Sequence, residues 1–197
     1  MAYSDYTLNS IATQFGISNQ RKKLFATVTP ITNISERLQY NLQLLEEMTV
    51  RSEKAKSELI IMPILLEMRQ LNNKFFTIYS GDTLYVDENL KGECDFIIAK
   101  DTGSFDINYP IIQVVEAKKN DVEVGIPQCA AQMIGAKKYN EKNGIATVLP
   151  LYGCVTTGDD WLFMCLEDKL YIDNRKYYLG NLPELLGVFQ QIIDLYK

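Results

Sequence analysis

The sequence predicts an α/β domain, a mixed β-sheet flanked by helices. Its core order is helix–strand–strand–strand–helix–strand, with a helical extension in front and a helix behind. Two observations predict it. Apolar residues recur at helical spacing over 8–15, 33–48, 52–71 and 182–196. Runs rich in β-branched and aromatic residues, bounded by Gly, Asn and Asp, fall at 75–79, 84–86, 95–100, 110–117 and 146–167. At 197 residues, 47% hydrophobic and 23% charged, the chain is long enough for one substantial core. We divide it into an N-terminal helical extension, 1–50, and a domain, 51–197, which together form one unit.

In the extension, Leu8, Ile11, Ala12 and Phe15 share a helical face and Gly16 supplies a stop. A short second helix is expected over 19–25. Its apolar positions are few, so the pair reads as a packing arm, not a DNA-reading helix-turn-helix, and Arg21, Lys22 and Lys23 read as a solvated face. A cleaner helix begins after Asn33 or Ser35, either of which can cap it. The next helix starts at Ser52 and runs to about Leu71. Pro63 lies inside it and predicts a kink near Glu58. At helical angles Glu58 shares a stripe with Ala55, Ile61, Met62 and Leu65, where a carboxylate needs a partner. Glu53 is more polar in setting and is explained by the helix dipole.

Residues 75–79 and 84–86 form a strand pair or one bent strand around Ser80-Gly81-Asp82, and Asp87 reads as a strand-end carboxylate. Two strands then carry the chemistry. Asp95 opens the first, with Glu93 as a spare acid. Glu116 and Lys118 close the second and point the same way, with Ala117 turned into the core. If these strands pair antiparallel, Asp95, Glu116 and Lys118 meet at one sheet edge. Two carboxylates with an ammonium suit a hard divalent cation such as Mg²⁺.

A helix follows from Pro127 to Gly144. It carries Gln128 and Gln132 one turn apart, Tyr139 further on, and Lys137, Lys138 and Lys142 near its end. Residues 146–158 and 161–167 read as a hairpin anchored by Trp161, and 169–180 as a second hairpin on the rim. The last helix buries Leu182, Leu185, Leu186, Phe189, Ile192, Ile193 and Tyr196.

Composition excludes several functions. The chain has no histidine, so Ser–His and Cys–His hydrolases and His-rich zinc sites are out. It has no Gly-rich phosphate loop, against a kinase or P-loop NTPase. Four cysteines without CxxC pairing read as reduced, buried thiols of a cytoplasmic protein. No apolar run reaches membrane-spanning length, and the first residues are unlike a secretory signal. A net charge of −5 works against nucleic-acid binding unless cations are concentrated locally or supplied by a partner.

An Asp followed on the next strand by Glu-x-Lys resembles the signature of the PD-(D/E)xK nuclease superfamily, the restriction-endonuclease-like fold. Here it is Asp95 and Glu116-Ala117-Lys118, with Cys94 where the family has proline. The resemblance covers about residues 52–156. It implies a Mg²⁺-dependent DNA endonuclease, with Mn²⁺ as a substitute and a homodimer left open. Asp95, Glu116 and the Ala117 carbonyl would hold the ion, helped through water by Glu58. Lys118 would position the attacking water. Gln128, with Gln132 and Tyr139, resembles the glutamine-bearing helix of the RecB-like branch, Gln128 steadying Lys118 or a phosphate. The alternative is a catalytically inactive nuclease-like module that regulates or binds a partner, which the acidic composition favours.

Overall fold

The computed structural model describes residues 1–145 and 149–197 of the chain. It is α/β, with a mixed, open, eight-stranded sheet flanked by helices. The strands are β1 (Asn19–Lys22), β2 (Phe76–Asp87), β3 (Leu90–Lys100), β4 (Ile111–Ala117), β5 (Leu151–Thr156), β6 (Asp160–Leu166), β7 (Leu170–Asp173) and β8 (Tyr177–Tyr178). Their order is β1-β7-β6-β5-β4-β3-β2, with β8 also on β6. Two pairs are parallel, β4 with β5 and β1 with β7, and the others are antiparallel. The helices are α1 (Leu8–Phe15), α2 (Glu36–Leu45), α3 (Glu53–Lys56), α4 (Met62–Leu71), α5 (Val122–Lys142) and α6 (Leu182–Asp194).

One apolar layer packs α1, α5 and Tyr3 against one sheet face; α2, α4 and α6 supply the other. Every residue of β4 is buried, as expected of a central strand covered on both faces. Among the described residues no helix is long and apolar enough to cross a membrane. All four cysteines are buried and free.

Several expectations change. Residues 19–22 form a strand, not a helix. So short a polar segment cannot nucleate a helix, and its backbone groups pair instead with β7, Asn19 opposite Leu170 through Lys22 opposite Asp173. Residues 76–87 are one bent strand, paired with β3 along its length, and Gly81 bends it at φ +72°. Because that ladder reaches back to Leu90, Asp95 lies in mid-strand and does not open β3. α5 starts at Val122, capped by Asp121, so Pro127 lies inside the helix and not at its first turn. The rim segment is not a hairpin: β7 and β8 both pair with β6, at different points along it. The start of the expected strand, 146–148, lies outside the described residues.

The expected kink takes a specific form. Ser52 caps α3 through the Ala55 N–H. Residues Ser57–Ile61 then widen into a π turn, in which the N–H of Met62 reaches the Ser57 carbonyl five residues back. The widened turn makes room for Pro63, which has no N–H to give. α2 is held on α4 by a buried carboxylate. Glu67 accepts from the Ser35 N–H at 2.8 Å and from the Ser35 hydroxyl at 2.6 Å, while that hydroxyl caps α2 through the Leu38 N–H.

Candidate active site

The C-terminal end of β4 gathers the titratable side chains. One ladder step beyond the Phe96–Val115 pair, Asp95 lies across from Glu116. Asp95 Oδ2 accepts a hydrogen bond at 2.7 Å from the Ala117 N–H. Ala117 is buried, with its neighbours Glu116 and Lys118 directed to the opposite side. The Lys118 N–H donates to the Thr156 carbonyl at 2.8 Å and continues the β4–β5 ladder. Lys118 Nζ donates to Glu116 Oε1 at 2.5 Å.

α5 closes over this pair. Gln132, fully buried, donates from Nε2 to Glu116 Oε2 at 2.7 Å. Gln128, one turn earlier, accepts from Lys118 Nζ at 3.2 Å. Gly125 lets the helix come this near. A Cβ there would lie 2.5 Å from Val155 Cγ1 and 3.0 Å from Lys118 Cγ. On the other side, Lys56 Nζ donates to the Lys119 carbonyl at 2.9 Å and stands 3.8 Å from Asp159, fastening α3 to the end of β4.

Burial sets the electrostatics. Glu116 is 2% exposed, and its pKa is raised to about 7, first by desolvation and then by the charge of Asp95, against the opposing pull of Lys118 and Gln132. Burial also raises Asp95, with smaller contributions from Glu53 and Glu93; the Ala117 N–H and Lys118 counter it. For Lys118, desolvation pulls downward, but Glu116, Glu53 and Asp95 outweigh it, and the net shift is upward. Lys118 is therefore an ammonium at neutral pH.

The structure brings Asp95, Glu116, Ala117, Lys118, Gln128 and Gln132 together. Glu58 is placed differently from its expected stripe. Its side chain is 62% exposed and lies 3.9 Å from Lys54. The π turn carries an extra residue per turn, so spacing counted at ordinary helical angles misplaces Glu58. Glu58 does line a cleft of about 400 Å³ with Glu53, Glu93 and Asp95. Glu53, however, is the acid of this helix whose charge reaches both Asp95 and Lys118. Asp87 accepts from the Asn89 and Leu90 N–H groups and shapes the β2–β3 turn. The Tyr139 hydroxyl donates to the Ile107 carbonyl, a packing role.

Sequence reasoning did not find Gly125 or Lys56, and it ranked Gln132 below Gln128. Gln132 could have been found as an amide flanked by the small and apolar residues Cys129, Met133 and Ala136, deeper in the helix than Gln128. Lys56 offers no such signal.

Among the described residues no three acidic or cysteine side chains cluster closely enough to enclose a cation. The donor set that is present suits Mg²⁺, which keeps most of its waters and takes one or two carboxylates. Asp95 Oδ1 has no hydrogen-bond partner among the described residues, and Glu116 is a buried carboxylate whose charge burial disfavours. Glu116 would take part once Lys118 left Oε1. The buried Gln132 Oε1 has no partner, so the pocket holds unspent hydrogen-bonding capacity. Compared with protein-family models, with curated proteins and with solved structures, the chain matches none.

Proposed function

We propose that this protein is a divalent-cation-dependent nuclease with a restriction-endonuclease-like core, hydrolysing phosphodiester bonds in DNA. The observation that carries the reading is the meeting of Asp95, Glu116 and Lys118 at one strand end under Gln128 and Gln132. The order α4, β2, β3, β4, α5, β5 supports it, since it follows the core order that the resemblance implies.

Mg²⁺, when bound, would supply Lewis acidity at the phosphoryl oxygen and a nucleophile at neutral pH. Asp95 and Glu116 would hold it, with the Ala117 carbonyl. Glu53 lends negative charge from α3 and fits the accessory acid better than Glu58. The ammonium of Lys118 donates hydrogen bonds to the phosphate under attack and offsets its growing charge. Gln128 keeps Lys118 aimed, and Gln132 fixes the plane of the Glu116 carboxylate. The site lies beside the buried strand β4, so its dipoles act at low dielectric.

A second reading has its own support. Both Glu116 oxygens are already engaged by the protein, and the chain carries a net charge of −5. A catalytically inactive module that binds a partner would show both features.

Plasmid DNA incubated with millimolar Mg²⁺ or Mn²⁺ separates the two. The nuclease nicks it, EDTA stops the reaction, and Lys118→Ala lowers the rate by about 10²–10³-fold. Wild-type protein that neither binds either cation by calorimetry nor nicks single- or double-stranded DNA is the module.

A further inference from the structure

The chain must concentrate its cations somewhere if it is to hold a polyanion, and the parallel pairing of β1 with β7 does so. It sets Arg21 opposite Ile172 and Lys22 opposite Asp173, and the Asn174 N–H donates to the Lys22 carbonyl at 3.2 Å. Arg21 therefore lies beside Arg175 and Lys176, contributed from the far end of the sequence, while Lys22 turns to the other sheet face, 4.4 Å over the Tyr171 ring. Between β1, the turn after β7 and the start of α5 is a cleft of about 580 Å³, lined by Arg21, Arg175 and Lys176 over a floor of Ile126, Leu162 and Ile172.

The cations are held in place. Arg175 lies 4.4 Å from the Tyr177 ring centre, donates to the Tyr177 hydroxyl and pairs with Glu184 at 2.9 Å. Lys176 stands 3.9 Å from Glu123. Arg21 has no acidic partner within 4 Å among the described residues. Two acids line the cleft: Glu123, exposed and set against Lys176, and Asp173, 2% exposed and engaged with Tyr177.

The cleft is in line with the candidate active site. Glu116 pairs with Val155 and Val155 with Leu162, one row across β4, β5 and β6. Val155 and Leu162 belong to the apolar layer on the α5 side, the side from which Gln132 reaches Glu116. At about 4.8 Å per strand, Leu162 is about 10 Å from Glu116 and the turn after β7 about 15 Å. Those distances correspond to about three to five nucleotides at ~3.4 Å per step.

We infer that the cleft of Arg21, Arg175 and Lys176 holds the backbone phosphates of the DNA strand a few nucleotides from the bond that is cut. This rests on the proposed nuclease reading and adds to it a direction for the substrate, across α5's first turns from Lys118 toward β1. It also accounts for nucleic-acid binding by an acidic chain.

The test is binding of a fluorescent single-stranded 20-nucleotide DNA, and of the matching duplex, in EDTA over a series of salt concentrations. Arg21→Ala/Lys176→Ala removes two exposed or half-exposed cations, and its melting temperature checks the fold. Binding by the variant should weaken about tenfold or more at low salt, with the slope of log affinity against log salt smaller by about 1.5–2. Arg21→Glu/Lys176→Glu should weaken it further. Unchanged affinity and slope in both variants, or no binding by wild type at low salt, overturns the inference.

Hydrolysis of the small diester bis(p-nitrophenyl) phosphate by wild type, lost in Asp95→Asn, tests the chemistry separately. Hydrolysis with DNA affinity indifferent to Arg21 and Lys176 sinks the cleft and keeps the nuclease. Affinity that depends on both cations, without Asp95-dependent hydrolysis of diester or DNA, keeps the cleft and sinks the nuclease.

Discussion

Asp95 Oδ2 lies 2.7 Å from the main-chain nitrogen of Ala117, so the acid of β3 is fastened to the residue between the acid and the ammonium of β4. The bond fixes where Asp95 stands relative to Glu116 and leaves its other oxygen for a ligand. Structural and chemical roles of Asp95 can therefore be separated. Asp95→Asn keeps an acceptor for Ala117 and should hold stability within about 1 kcal/mol, while metal affinity and cleavage fall at least ~10²-fold. Asp95→Ala strips the N–H of its partner and should cost about 1–2 kcal/mol in addition. Urea melts with calorimetric titration read both. Full metal affinity in Asp95→Asn would contradict the assignment.

Glu53 and Glu58 should behave differently. Glu58 is solvated beside Lys54, so Glu58→Ala should change stability and cleavage little, within about 0.5 kcal/mol. Glu53→Ala should weaken Mg²⁺ binding severalfold, because its charge reaches Asp95 and Lys118. Titration of the two variants side by side settles the order, and a larger loss in Glu58→Ala would reverse it.

Burial raises the Glu116 pKa from 4.5 to about 7, so the folded state binds its proton more tightly than the unfolded state does. The resulting stability is fully present below about pH 4.5 and is lost as pH rises through about 7, up to about 3 kcal/mol. In EDTA, wild type should lose melting temperature from pH 5.5 to 8 relative to Glu116→Gln. Millimolar Mg²⁺ at pH 8 should restore it, the cation standing in for the proton. Parallel pH profiles for the two proteins would refute this.

Gly125→Ala brings a methyl against Val155 and the Lys118 stem. The fitted helix has to back away, at a cost of about 1–3 kcal/mol. The same shift should loosen Gln128 and Gln132 from their partners and lower the cleavage rate. Ala at the exposed Gly180, where nothing lies within 4 Å, is the control and should leave both quantities near wild type.

Glu67→Ala leaves both the N–H and the hydroxyl of Ser35 without their acceptor in a buried setting. A loss of about 2–4 kcal/mol is expected. Glu67→Gln keeps one acceptor and should lose less. Denaturant midpoints measure both.

The site was legible where side-chain alternation alone governs it. Glu116 and Lys118 fall two apart on a strand, and Asp95 meets them once β3 and β4 pair antiparallel. The helix acid was misplaced because counting at 3.6 residues per turn fails across a π turn, a departure the sequence marks only through Pro63. Residues 19–22 were misread because their structure is imposed by β7, with no local pattern to announce it. The start of α5 was missed because Pro127 reads as a first-turn residue, although Asp121 caps the helix earlier. Long-range partners such as Lys56 with Lys119, or Arg21 near Arg175, are set by the assembled sheet and leave no trace in local spacing.

The parallel seam between β1 and β7 joins segments separated by about 150 residues of chain. At a ribosomal pace of roughly 5–20 residues per second, the amino-terminal strand waits about 8–30 s for its neighbour to be made. For that interval the nascent polypeptide trails its Arg-Lys-Lys stretch in the open, and the sheet gains its final edge only once β7 has been made.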